Sequence, residues 1–236
     1  FLKKRNFDGL DLDWEYPVGY KSQFTKLCQR LKAKFTSNNL LLTAAVAAGK
    51  SNIDLAYNVV DLADHLDFLN VMTYDYYGSW RSVIGHNTPL YKRKSDTDPN
   101  LNINFTINYY LQLGFPVGKM NLGLATYGRS FTLSNTNQNT IGSPASGPGT
   151  AGIYTKEAGL LSYYEICEIS AWNLVRDTES KVPYKYSDKE WIGFDDLQSL
   201  REKVDYAKSK NLGGVMFWVI YTLNSWYSKF QFFPIS

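Results

Sequence analysis

Long apolar runs are missing from this chain of 236 residues. The longest, around residues 40–48 and 215–223, fall well short of the roughly 20 residues a helix needs to cross a bilayer, so the chain reads as soluble, with no membrane partner. Charge of one sign is missing too. Twenty-five Lys and Arg against 22 Asp and Glu leave a net charge of +3, and the basic clusters Lys3-Lys4-Arg5 and Lys92-Arg93-Lys94 are short. That excludes the electrostatic footprint of a nucleic-acid binder. No Gly-rich phosphate loop and no EF-hand spacing appears. The chain opens on Phe1 without a leader, which reads as a processed, excised or unresolved start. Cysteine is scarce, and the two present, Cys28 and Cys167, do not define a redox compartment. Cys28 sits on the apolar stripe Phe24, Leu27, Leu31 and Phe35 of an expected helix, where a free buried thiol is the ordinary outcome.

Aromatic residues are abundant: 18 Tyr, 13 Phe and 6 Trp make up 16% of the chain. A core absorbs most of them, and the surplus suits a cleft in which rings stack on flat ligand faces. The densest signal is Phe7-Asp8-Gly9-Leu10-Asp11-Leu12-Asp13-Trp14-Glu15-Tyr16, four carboxylates threaded through an apolar segment that reads as a buried strand. Side chains alternate along a strand, so Asp11, Asp13 and Glu15 share one face while Leu10, Leu12 and Trp14 share the other. Same-face neighbours lie roughly 6 to 7 Å apart, close enough for mutual repulsion to keep one acid protonated near neutral pH and able to donate its proton. A solvated acidic face is disfavoured by the interleaved Leu, Trp and Phe. A divalent-metal cluster is the sharper rival, although hard cations draw on turns, waters and phosphates more than on one strand.

Strand-like and helix-like segments alternate along the chain. Strands are expected at 7–14, 40–46, 68–72, 121–125 and 214–218, with helices at 24–35, 58–66, 103–113 and 195–210. Apolar strands separated by amphipathic helices predict a parallel sheet covered by helices. The alternation breaks between 129 and 190, where a Gly/Pro/Ser/Asn-rich stretch (135–152) and short aromatic segments predict an inserted α+β unit, because so long a structureless loop is rare in a compact domain. The expected organisation is 1–128, an insertion at 129–190, and 191–236.

The acidic strand matches D-x-x-D-x-D-x-E and resembles the active-site strand of the family 18 glycoside hydrolases, the chitinases. Further blocks fall in that family's order: Asn70-Val71-Met72-Thr73-Tyr74-Asp75 with Gly78-Ser79-Trp80, Leu124 to Phe131, Trp191-Ile192-Gly193-Phe194-Asp195, and Gly213-Gly214-Val215-Met216-Phe217-Trp218. The resemblance implies a (β/α)8 TIM barrel with a small α+β insertion domain, and it puts the unusual residues at strand ends, on the face where such barrels carry their sites. It also implies that the chain holds barrel strands four to eight without the first three. Five strands cannot close a barrel, so the chain alone is expected to expose sheet edges and to be poorly stable or inactive.

The function implied is retaining, substrate-assisted cleavage of β-1,4-linked N-acetylglucosamine polymers, in which the sugar's own acetamido group is the nucleophile. Glu15 would be the general acid, Asp13 would orient the acetamido group, Asp11 would share a proton beneath it, and Tyr74 would bond the acetamido oxygen. Asp75 would hold the sugar or the Asp13 carboxylate, and Trp218 would form the floor. Met72, Trp80, Tyr127, Arg129, Glu157 and Met216 would contact sugar, whereas Asp8, off the acidic face, would be a structural hydrogen-bonding residue. No metal or cofactor is implied. The expected partner is chitin or its oligosaccharides, and the chain is expected to be secreted and monomeric. The alternative is a chitin-binding lectin-like fragment without activity, but inactive relatives typically replace the acid at the Glu15 position. One departure from the family lies at Val219 to Ser225, where its usual acidic run is missing. Another is a cysteine-free tail: Cys167 resembles a cysteine whose usual partner lies there, so both thiols are expected to be free.

Overall fold

The computed structural model describes residues 1–222. After a 3-10 turn at Lys3–Arg5, the elements run β1 (Gly9–Asp13), α1 (Lys21–Thr36), β2 (Leu41–Val46), α2 (Lys50–Ala56), α3 (Val59–His65), β3 (Phe68–Val71), α4 (Ile103–Gln112) and β4 (Met120–Ala125). There follow β5 (Tyr127–Leu133), β6 (Ala145–Pro148), β7 (Leu160–Ser162), α5 (Tyr163–Glu168), β8 (Asn173–Asp177), β9 (Val182–Ser187), β10 (Glu190–Gly193), α6 (Leu197–Ser209) and β11 (Gly214–Trp218).

All five strands expected for the parallel sheet are present, in the order β1-β2-β3-β4-β11. Their pairing is parallel throughout, with Asp11 opposite Thr43, Ala45 opposite Asn70, Asn70 opposite Asn121, and Gly123 opposite Met216. Alternation along each strand then gives the sheet two unlike faces. On the outer face Leu42, Val46, Leu69, Val71, Leu122 and Leu124 pack under the helices against Phe24, Cys28, Ile53, Leu62, Ile107 and Tyr110, forming the main core. Each fully buried aliphatic side chain there contributes about 1.5–3 kcal/mol.

The helices start and stop where local chemistry allows. Asn102 caps α4 by accepting the Phe105 N–H at 2.9 Å, and Gly114 turns the chain out of its end at φ +91°. Asp196 and Ser199 bond each other's backbone N–H groups at the start of α6, and Ser162 and Glu165 do the same for α5. Such reciprocal caps satisfy donors that a helix end otherwise leaves orphaned.

The segment between β4 and α6 forms a second, antiparallel sheet in the order β6-β5-β10-β9-β8, with β7 pairing β5. Its core is Ile84, Phe131, Leu133, Tyr184 and Trp191, with Tyr184 stacked on Trp191 at 5.1 Å. Residues 86–88, all buried, bind this unit to the rest. His86 Nε2 lies 2.9 Å from Asp177 on β8, the Asn87 amide reaches Asp75 and Tyr127, and Thr88 donates to Asp195 beside α6 at 2.6 Å.

Three expectations need correction. β1 is not a buried strand: within the described residues it pairs on one side only, so Leu10 is 37% and Trp14 41% exposed. Leu27 also faces solvent, because the packed stripe of α1 runs through Phe24, Cys28 and Phe35. Asp8 is exposed, and among the described residues its carboxylate makes no hydrogen bond; its carbonyl accepts from Leu41 N–H at 2.8 Å. Both cysteines are free, Cys28 buried and Cys167 exposed. The tail from residue 223 to 236, including the end of the segment that departs from the family after Trp218, lies outside the described residues.

Candidate active site

Polar side chains cross the inner face of the parallel sheet. Asp11 accepts hydrogen bonds from the Thr43 hydroxyl and from Asn70 Nδ2 at 3.1 Å, and Asn121 Nδ2 donates to Asn70 Oδ1 at 3.0 Å. The register that sets Asp11 beside Thr43 and Asn70 beside Asn121 makes these contacts possible. Asp11 is thereby held as an acceptor, and no hydrogen bond joins it to Asp13.

Asp13 stands one step nearer the strand's C-terminal end, and Glu15 lies just beyond it. Partial burial, and then the Asp11 charge, raise the Asp13 pKa above the ordinary carboxylate value. Glu15 is raised by burial first and by Asp13 next, with a smaller contribution from Asp75, against the opposing hydrogen bond from Tyr16. Of the groups on this face, Glu15 thus keeps its proton to a higher pH than an isolated glutamate, which suits a proton donor. Tyr16, Tyr57 and Tyr74 are pushed above the usual phenol value, mainly by burial, and so remain donors.

Beyond β3 the chain carries Met72 and Tyr74, both nearly buried, and then Asp75 in the left-handed region at φ 61°. A non-glycine residue holds that conformation only with support. Here Asn87 Oδ1 accepts the Asp75 N–H at 2.9 Å. Arg129 grips the carboxylate through Nε at 2.7 Å and a terminal nitrogen at 2.8 Å, while the Tyr127 hydroxyl donates to it at 2.8 Å. The Arg129 guanidinium lies 5.1 Å from the Trp80 ring centre and 5.3 Å from that of Tyr127. Gly123 makes room for the turn: a Cβ there would fall 2.4 Å from the Val71 carbonyl oxygen and 3.0 Å from the Tyr74 ring. At the end of β11, Trp218 is anchored through its carbonyl, which accepts the Thr126 N–H at 2.9 Å.

These groups line an open cleft of about 410 Å³. Nine of the twelve residues expected at the site border it: Asp11, Asp13, Glu15, Tyr74 and Asp75, together with Met72, Trp80, Met216 and Trp218. Tyr127, Arg129 and Glu157 do not. Tyr127 and Arg129 stand behind Asp75 and fix it, because β5 has already turned into the second sheet; Asp75 in turn is bonded to them and not to Asp13. Glu157 is exposed on the loop before β7 and reaches the site only through its charge on Arg129. Tyr16, Asn52, Asn70, Arg81 and Phe217 also border the cleft and were not foreseen. Asn70 was within reach, since it shares the period-2 face of Met72 and Tyr74. Among the described residues, no three His, Cys, Asp or Glu side chains converge as metal ligands, so the rival metal reading finds no support in the geometry.

Solved structures share this fold. The Ostrinia furnacalis group IV chitinase in complex with allosamidin is 40% identical and superposes with a TM-score of 0.91 over 94% of this chain and 63% of its own. Human YKL-39, a pseudo-chitinase with retained chitooligosaccharide binding properties, is 41% identical with a TM-score of 0.92 over 94% and 64%. Mouse chitotriosidase-1 is 43% identical over 93% of this chain and 50% of its own length. The chain thus spans from half to just under two thirds of these relatives. Its five parallel strands are strands of their (β/α)8 barrel, which does not close within the described residues. The family model for glycosyl hydrolases family 18 matches residues 1–222, and the chain belongs to that family.

Proposed function

We propose that the cleft is the catalytic centre of a chitinase, acting within a complete barrel on β-1,4-linked N-acetylglucosamine. The observation that carries the reading is Glu15 just beyond the acidic strand, its proton retained by burial and by Asp13, in a cleft that the buried Tyr74 and Trp218 also line. The Glu15 proton passes to the glycosidic oxygen as the C1–O bond breaks, and the acetamido oxygen of the same sugar attacks C1 to form a cyclic oxazolinium. Asp13 accepts from the acetamido N–H and offsets the positive charge, with Asp11 adding to the field from beneath. Tyr74 donates to the acetamido oxygen and aligns it. Water then attacks C1 while the Glu15 carboxylate takes its proton, which restores the acid and retains the anomeric configuration.

Asp75, held by Arg129 and Tyr127, presents a fixed acceptor edge to the sugar. Trp218 offers a ring face beneath it, and Met72, Trp80 and Met216 complete the wall. The polymer substrate lies outside cells, so the reading implies secretion; no helix among the described residues is long and apolar enough to cross a membrane. A second reading, oligosaccharide binding without cleavage, is favoured by the close likeness to a pseudo-chitinase that retains binding.

Glu15→Gln in a complete barrel carrying this chain separates the two. The change keeps shape and removes the proton, so turnover of an N-acetylglucosamine oligomer falls by at least roughly 10²- to 10⁴-fold while binding persists. A parent protein that binds the oligomer without cleaving it supports the second reading, and turnover that survives the substitution overturns the first.

A further inference from the structure

Asn104-Phe105-Thr106 is the single Asn-x-Ser/Thr triplet in the chain, and it falls in the first turn of α4, away from the cleft. We propose that Asn104 is an N-glycosylation site whose glycan occupies a groove on the outer helical layer. The proposal rests on the reading of the chain as secreted.

The hydrogen-bond network fixes which way the Asn104 amide points. Lys210 Nζ donates to Asn108 Oδ1 at 3.1 Å, so Asn108 must present its Nδ2 to Asn104. That Nδ2 lies 3.0 Å from Asn104 Oδ1, which also receives the Tyr206 hydroxyl at 3.1 Å. The Asn104 oxygen is therefore doubly engaged, and its Nδ2, the atom that carries an N-linked sugar, has no hydrogen-bond partner among the described residues. The side chain is half-buried and opens into a groove of about 420 Å³. Phe105 and Tyr109, stacked at 5.5 Å, and the amides of Asn100 and Gln112 border that groove, offering an apolar ring surface and polar partners to a sugar.

Timing follows from Thr106. Its hydroxyl, which the acceptor triplet requires, is buried in the fold, donating to the Ala48 carbonyl at 2.9 Å and paired with the Tyr76 hydroxyl at 2.7 Å. Transfer therefore precedes folding. The donor is a lipid diphosphate-linked oligosaccharide: Asn104 Nδ2 bonds to C1 of its reducing-end sugar, the C1–O bond to the diphosphate breaks, the lipid diphosphate leaves with the electron pair, and the amide gives up one proton.

The test expresses the full chain behind a cleavable signal peptide in a eukaryotic host, with cell-retained and secreted pools examined separately. The expected result is one glycan, removed by peptide-N-glycosidase F with conversion of residue 104 to Asp, lost in Asn104→Gln and retained in Thr106→Ser. Scoring both pools keeps the site apart from export, because the added signal peptide delivers the chain to the transferase, and a glycan found only in the cell-retained pool supports the site just as a secreted one does. Recovery of peptide 104 unmodified from both pools overturns the site, as does a glycan that survives Asn104→Gln.

Discussion

Arg129 holds Asp75 by both carboxylate oxygens, at 2.7 and 2.8 Å, although Arg129 lies on β5 of the antiparallel sheet and Asp75 in the loop that follows β3 of the parallel one. The fork geometry fixes the plane of the carboxylate as well as its position, and a lysine cannot reproduce that. Arg129→Lys, which keeps the charge and loses the fork, is expected to lower kcat/KM for an N-acetylglucosamine oligomer by roughly 10- to 100-fold, the worth of a charge-assisted bond. Steady-state kinetics on a complete barrel checks it, and an unchanged kcat/KM would remove Asp75 positioning from the account.

The pH profile carries a defined sign. With Glu15 in the proposed role of general acid, which must be protonated, activity is expected to decline as pH rises through its pKa, above the range of an ordinary glutamate because burial, Asp13 and Asp75 raise it. Asp75→Asn removes one of those charges and is expected to move the alkaline limb to lower pH, whatever it does to the maximum rate.

Stability depends on pH with one sign at Asp13 and Glu15 and the opposite sign at Asp177. Asp13 and Glu15, raised in the folded chain, contribute stability below their unfolded pKa values that is lost as pH rises through the folded ones. Glu15→Gln should therefore melt at or above the parent temperature near neutral pH. Asp177 is lowered to about 2 against the cost of its burial, by the His86 bond and by the Glu179 and Ser180 N–H groups. Its contribution is present above the unfolded carboxylate pKa and fades as pH falls toward 2. Thermal melts across pH, compared between parent and variants, read both signs.

Lys203 and Asp195 form an ion pair that is only 1% exposed on either side, with Nζ 2.5 and 2.6 Å from the two carboxylate oxygens and hydroxyls of Thr88 and Ser199 completing the set. Removing one member leaves a buried charge without its counterion, which costs about 3–5 kcal/mol. Lys203→Met is expected to lower the unfolding free energy measured in urea by that amount, and Lys203→Met with Asp195→Leu to recover part of it. Equal losses in the single and double variants would mean that packing, not charge, sets the cost.

Burial pushes the Cys28 thiol up to about 12, while Cys167 is exposed. Since the thiolate is the reactive form, an alkylating reagent is expected to modify Cys167 alone in the native chain and both thiols after denaturation. Mass spectrometry of the labelled peptides distinguishes them.

Elements long enough to show their period were legible in the sequence. The five parallel strands and α1, α4 and α6 emerge from apolar spacing, and the acidic strand from carboxylates where packing would place none. Helix α2 was not legible: its seven residues, Lys50–Ala56, bury only Ile53 and Ala56, whereas the equally short α3 shows its apolar spacing in Val59, Leu62 and the following Leu66. The exposure of Leu10 and Trp14 depends on which strands stand beside β1, a tertiary fact that alternation along one strand does not encode. The placement of Arg129 and Tyr127 behind Asp75 escaped for the same reason, because it is set by where β5 departs from the barrel sheet.

Residues 86–88 work as a rivet through three plates. One side chain enters the antiparallel sheet, the next clasps the backbone at Asp75, and the third enters the buried charge cluster under α6. Each is linked to the next by a single peptide unit, which leaves little slack to absorb a displacement. A substitution that loosens the packing around Tyr184 and Trp191, far from any sugar, is therefore transmitted to the carboxylate of the cleft as a shift of geometry. Damage to the insertion should be felt first as misalignment of Asp75, before the fold itself gives way.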